Sequence, residues 1–159
     1  MQFVIENGVL IKVNDRRITA AEIPASVTEI AKGAFWDCKK LERVIFEENS
    51  QLKKIGSGAF WKCKKLWEIN IPASVTEIAN SAFWHCKKLK RVMLEENSQL
   101  QKIGGGAFAH CKKLQEINIP TSVKVAYSAF LKCKSLNEDC REAIEKMCTA
   151  SFVQENPDD

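Results

Sequence analysis

The sequence predicts an α/β solenoid of about five coils, with a β-hairpin covering one end and a helix covering the other. Three observations carry this reading. Residues 23–70 align with residues 71–118 without a gap, and 37 of the 48 positions are identical. Within those blocks Phe35, Phe60, Phe83, Phe108 and Phe130 recur at spacings of 25, 23, 25 and 22, each followed three residues later by a cysteine. The two ends depart from the pattern, as the outer coils of a stack must.

The first residues set the N-terminal cap. Phe3–Ile5 and Val9–Val13 are β-rich runs separated by Asn7-Gly8. That dipeptide favours a type I′ turn, so a hairpin is expected. Each following unit has two apolar parts. Leu41–Phe46 fits L-x-x-L-x-L and predicts a short strand; Leu66–Ile71, Leu89–Leu94 and Leu114–Ile119 repeat it, and Ile18–Ile23 does so loosely. A second apolar pair follows, at Val27/Ile30, Leu52/Ile55, Val75/Ile78 and Leu100/Ile103. Ala-Phe-x-x-Cys-Lys-Lys-Leu then turns the chain back. A period of 22–25 lies in the range of leucine-rich repeats. The fold class expected is therefore a leucine-rich repeat array with a parallel concave sheet and right-handed coils.

The C-terminal cap reads as a helix over Glu138–Thr149, with Cys140, Ala143, Ile144, Met147 and Cys148 on one face. Asn137 or Asp139 is its expected N-cap. One domain results: residues 1–22 cap the array, 23–136 repeat, 137–153 form the helical lid, and 154–159 an acidic tail.

The motif I-P-x-S-V-x-x-I-x-x-x-A-F-x-x-C-x-x-L, present as Ile23–Leu41 and Ile71–Leu89, resembles the BspA-like leucine-rich repeat family. The likeness covers residues 3–136. It implies a curved parallel solenoid with a binding role and no catalytic residues. Many such proteins are surface proteins engaged in adhesion or host contact.

Composition narrows the remaining choices. The 159 residues are 45% hydrophobic and 28% charged, with a net charge of +4, which is mild for a dedicated polyanion binder. There is no apolar run near ~18 residues, so no membrane insertion is expected. The opening MQFVIENGVL lacks the charged and apolar regions of a secretion signal. Five of the seven cysteines are one repeat position, expected to form a ladder of buried reduced thiols. Together these favour a cytoplasmic setting, against the surface setting implied by the resemblance. No catalytic, cofactor or metal site is expected. His85 and His110 share one slot on adjacent coils, but no third ligand accompanies them.

Candidate binding residues lie where the strands point outward. Third strand positions read Ala20, Arg43, Glu68, Arg91, Glu116, and fifth positions Glu22, Ile45, Asn70, Met93, Asn118. Alternating Arg and Glu support register between strands. The same face offers Arg forks for carboxylates, apolar Ile45 and Met93, and Trp67 at its rim. A protein partner on the concave face is therefore the leading expectation, through Arg43, Ile45, Trp67, Glu68, Asn70, Arg91, Met93, Glu116 and Asn118. A second expectation is polyanion binding, of single-stranded nucleic acid or glycan, along Trp36, Trp61 and Trp84 beside Lys39, Lys40, Lys64, Lys65, Lys87 and Lys88. A purely structural or designed repeat scaffold is a third. Glu29, Lys54, Glu77 and Lys102 form another alternating ladder, read as pairing between coils.

Overall fold

The computed structural model describes residues 1–155, and side chains as far as Cys148. The hairpin forms as expected, from β1 (Phe3–Glu6) and β2 (Val9–Val13) paired antiparallel. Asn7 and Gly8 both adopt positive φ, 50° and 79°, as a type I′ turn requires.

Each coil then supplies one strand to each of two sheets. Strands β3 (Ala20–Ile23), β5 (Arg43–Phe46), β7 (Glu68–Ile71), β9 (Arg91–Leu94) and β11 (Glu116–Ile117) make a parallel five-stranded sheet. The second sheet has seven strands. It joins the hairpin to β4 (Glu29–Ile30), β6 (Lys54–Ile55), β8 (Glu77–Ile78), β10 (Lys102–Ile103) and β12 (Lys124–Val125). Because β2 pairs parallel with β4, the hairpin continues this second sheet.

The strands of the five-stranded sheet are shorter than the six-residue pattern. Leu41 and Leu66 instead close turns, their amides bonding the carbonyls of Cys38 and Cys63 at 3.1 and 3.2 Å. Strand β11 ends early because the Asn118 side chain replaces the next ladder step. Its Oδ1 accepts from the Leu94 amide at 2.7 Å, and its Nδ2 donates to the Leu94 carbonyl at 3.0 Å.

Backbone polarity in the turns is satisfied in alternation. The amides of Ala34, Trp36 and Cys38 bond carbonyls three residues back in their own coil. Those of Gly33, Phe35 and Asp37 bond Ser57, Ala59 and Trp61 of the next coil. Every second peptide thus ties one coil to its neighbour, which leaves few buried groups unpaired. Beneath the turns the Phe rings stack, with centroids 4.8 Å apart for Phe35–Phe60 and 5.1 to 5.2 Å onward to Phe130. This is close to the strand spacing of ~4.8 Å, so sheet and core share one repeat. Phe3 meets Phe35 edge-on at 5.9 Å and seals the first coil.

Helix α1 (Glu138–Glu155) closes the other end and runs past the expected lid boundary. Asn137 is the N-cap: its Oδ1 accepts from the Cys140 amide at 2.9 Å. Ile144 and Met147 are buried and Cys140 and Cys148 half-buried, whereas Ala143 is exposed, so the apolar face is narrower than its spacing implies. Residues 156–159 of the expected acidic tail lie outside the described residues.

Candidate functional site

The outward rows of the five-stranded sheet form the candidate site. Parallel pairing sets Arg43 opposite Glu68, Glu68 opposite Arg91, and Arg91 opposite Glu116. Arg91 serves both neighbours, with Nη1 3.9 Å from Glu68 and Nε 3.6 Å from Glu116. Arg43 is exposed and has no carboxylate in ion-pairing range among the described residues. The next row places Glu22 beside Ile45 and Asn70 beside Met93. Ile45 is 41% exposed and Met93 half-buried. Asn118, in line with this row, has its amide committed to Leu94 on both atoms. The face thus combines one unpaired guanidinium, an exposed aliphatic side chain, a thioether and a free amide at Asn70.

Trp67 lies apart from these rows. It lines a separate groove of about 340 Å³ with Lys88, Lys90, Lys113, Gln115 and Ser135.

On the turns, Trp36, Trp61 and Trp84 do form a continuous stripe. Trp36 stacks on Trp61 at 5.6 Å, and Trp61 meets Trp84 edge-on at 5.3 Å. The rings are occupied with each other and with neighbours. Arg16 sits over Trp36 at 5.8 Å, Lys62 over Trp61 at 5.6 Å, and His110 lies 5.4 Å from Trp84. Arg16 also donates to the Trp36 carbonyl. Lys39, Lys40, Lys65, Lys87 and Lys88 are exposed and Lys64 half-buried. Trp61 and Trp84 are half-buried, which leaves little open ring face for a base to stack on.

The slot holding His85 and His110 is set by backbone geometry. Asp37, Lys62, His85, His110 and Lys132 all occupy it with φ between 59° and 64°. The two imidazoles lie 5.8 Å apart. Burial, then Lys87 and His110, hold His85 below its ordinary pKa. Its Nδ1 is buried without a hydrogen-bond partner. No group of three or more His, Cys, Asp or Glu side chains is gathered to hold a metal among the described residues. Nor is any helix among them long and apolar enough to cross a membrane.

All seven cysteines are unpaired. Cys63, Cys86, Cys111 and Cys133 each donate to the Phe carbonyl one coil back, at 3.0 to 3.2 Å. Burial pushes the Cys38 thiol up to about 11 and holds those of Cys63, Cys86 and Cys133 well above the ordinary thiol value too. The ladder is therefore hydrogen-bonded as well as apolar, a feature the Phe-x-x-Cys spacing left hidden. Two carboxylates also escaped the sequence reading: Glu47 and Glu95 each accept from a backbone amide one coil back, Ala25 at 2.9 Å and Ala73 at 3.1 Å. The shared Glu-Glu-Asn-Ser turn was the available signal.

The family profile described as BspA type Leucine rich repeat region matches residues 13–137 in six copies. Among solved structures, a T. pallidum leucine rich repeat protein is 31% identical with a TM-score of 0.72, covering 80% of this chain and 60% of that one. The pneumococcal vaccine antigen PcpA is 33% identical with a TM-score of 0.67, covering 78% and 31%. A leucine rich cell surface protein from Faecalibacterium prausnitzii A2-165 is 31% identical with a TM-score of 0.63, covering 80% and 42%. This chain therefore spans less than two thirds of each of these relatives. No curated protein matches it.

Proposed function

The chain belongs to the BspA type leucine-rich repeat family, and from that membership and the sheet geometry we propose that it is a non-enzymatic module binding a protein partner on the face of its five-stranded sheet. One observation carries the reading: Arg43 and Ile45 stand exposed on the same strand with no ion-pair partner for the guanidinium. An exposed aliphatic beside an unpaired Arg matches the anchor chemistry of protein interfaces. Arg91, Glu68 and Glu116 hold the register, and Asn70 and Met93 extend the contact. Asn118 supports the strand end and makes no direct contact. The Trp36–Trp61–Trp84 stripe is a less favourable platform for a polyanion, since its rings pack on one another.

The cell-surface relative supports an adhesive or recognition role outside the cell. The buried cysteines of the ladder do not oppose it. Buried thiols held protonated are poor nucleophiles, so they persist in oxidising as well as reducing surroundings.

Affinity capture by the immobilised chain, compared with an Arg43→Glu/Ile45→Ser variant, tests the proposal. Proteins retained by the parent and lost by the variant, at unchanged circular dichroism, are the expected outcome. Equal retention by both contradicts it.

A further inference from the structure

The groove beside Trp67 carries chemistry that the sheet face does not. It is built from two columns of the stack. One runs Glu42, Trp67, Lys90, Gln115 and is tied by backbone bonds: Trp67 to Glu42 at 3.5 Å, Lys90 to Trp67 at 2.8 Å, Gln115 to Lys90 at 2.9 Å. The other contributes Lys88, Lys113 and Ser135 from successive coils. A buried leucine, Leu89 or Leu114, separates the columns along the chain in each coil.

Three lysines converge here, and none has a carboxylate in ion-pairing range among the described residues. At some other positions the stack does neutralise a cation, as at Arg91 between Glu68 and Glu116 or Lys54 beside Glu77 at 3.9 Å. Gathering like charges without acids costs free energy unless an anion supplies the balance. The indole beside them is 44% exposed, an uncommon position for so large an apolar ring. The groove's volume of about 340 Å³ falls within the ~300–1,000 Å³ of small-ligand sites.

We propose that this groove binds an oligosaccharide bearing sulfate or carboxylate groups. Its Trp67 ring takes one apolar sugar face, Lys88, Lys90 and Lys113 take the anionic substituents, and Gln115 and Ser135 take hydroxyls. A nucleic-acid strand is a poorer fit, because it uses successive aromatic plates and this column has one. An acidic peptide would use the lysines but leave the indole without a ring partner. The site stands independently of the sheet-face reading, since Arg43 and Ile45 take no part in it.

Titration with a heparin-derived hexasaccharide, followed by calorimetry, tests the assignment. Saturable binding is expected, weakening as salt rises. It falls about tenfold or more in Trp67→Ala and in Lys88→Gln/Lys113→Gln, and is unchanged in Trp36→Ala. The lysine variant alters only exposed groups, so it decides the matter even where Trp67→Ala disturbs the fold. Maltohexaose and the oligonucleotide dT6 bind at least about tenfold more weakly. No saturation at low salt, full affinity in the lysine variant, or equal binding of dT6 overturns the proposal.

Discussion

The thiol of Cys86 donates to the carbonyl oxygen of Phe60 across 3.1 Å, one coil back in the stack. The same bond recurs at Cys63, Cys111 and Cys133, so the cysteine ladder links coils as the sheets do. Loss of one rung removes both a hydrogen bond and a filled core position. Cys86→Ala is expected to lower unfolding free energy by about 1–3 kcal/mol, measured by urea denaturation. In the native chain at pH 8, Ellman's reagent is expected to reach the half-buried Cys140 and Cys148 first. The five buried thiols should react only on unfolding.

Arg91 sits between two carboxylates, at 3.9 Å from Glu68 and 3.6 Å from Glu116. Arg91→Glu sets three negative charges on adjacent strands. A loss of about 1–2 kcal/mol is expected at low salt, shrinking as salt rises. Arg43→Glu, opposite Glu68 alone, should cost less. Urea midpoints at two ionic strengths measure both.

Gly56 lies where two coils approach closely. A Cβ there would stand 2.6 Å from the Ile30 carbonyl oxygen and 3.0 Å from Ala31 backbone carbon. Backbone cannot swing aside as a side chain can. Gly56→Ala is expected to destabilise the stack by about 1–3 kcal/mol, with thermal unfolding as the readout.

His85 titrates below its ordinary value of 6.5 because burial disfavours its charged form. The unfolded chain therefore binds the proton more readily. This contribution to stability is complete above pH 6.5 and is lost as pH falls through that value toward the lowered folded pKa. His85→Asn, which keeps a residue tolerant of positive φ, should flatten that part of the profile. Urea midpoints of both proteins from pH 8 to 5 provide the check.

Repetition made most of the fold legible. Phe35, Cys38 and their copies had to share one environment, and Asn7-Gly8 announced its turn. The alternation of Arg43, Glu68, Arg91 and Glu116 carried straight into neighbouring strands, because identical coils stack in register. Strand ends were less legible. Leu41 satisfies the strand pattern by its apolarity, yet its amide closes a turn. The outer ladder of Glu29, Lys54, Glu77 and Lys102 ends on Lys124, a like charge brought opposite Lys102 by the last coil's shorter spacing. The groove at Trp67 was hidden for another reason: sequence gives each column, but not which columns face each other across a buried leucine.

Hydroxyl-radical footprinting of the chain bound to a captured protein tests the sheet-face reading most directly. Met93 on the sheet and Trp36 on the turns both oxidise readily and report on different surfaces. Binding is expected to protect Met93 and Ile45 while Trp36 oxidises at its free rate. Protection of Trp36 with Met93 and Ile45 unchanged would contradict it.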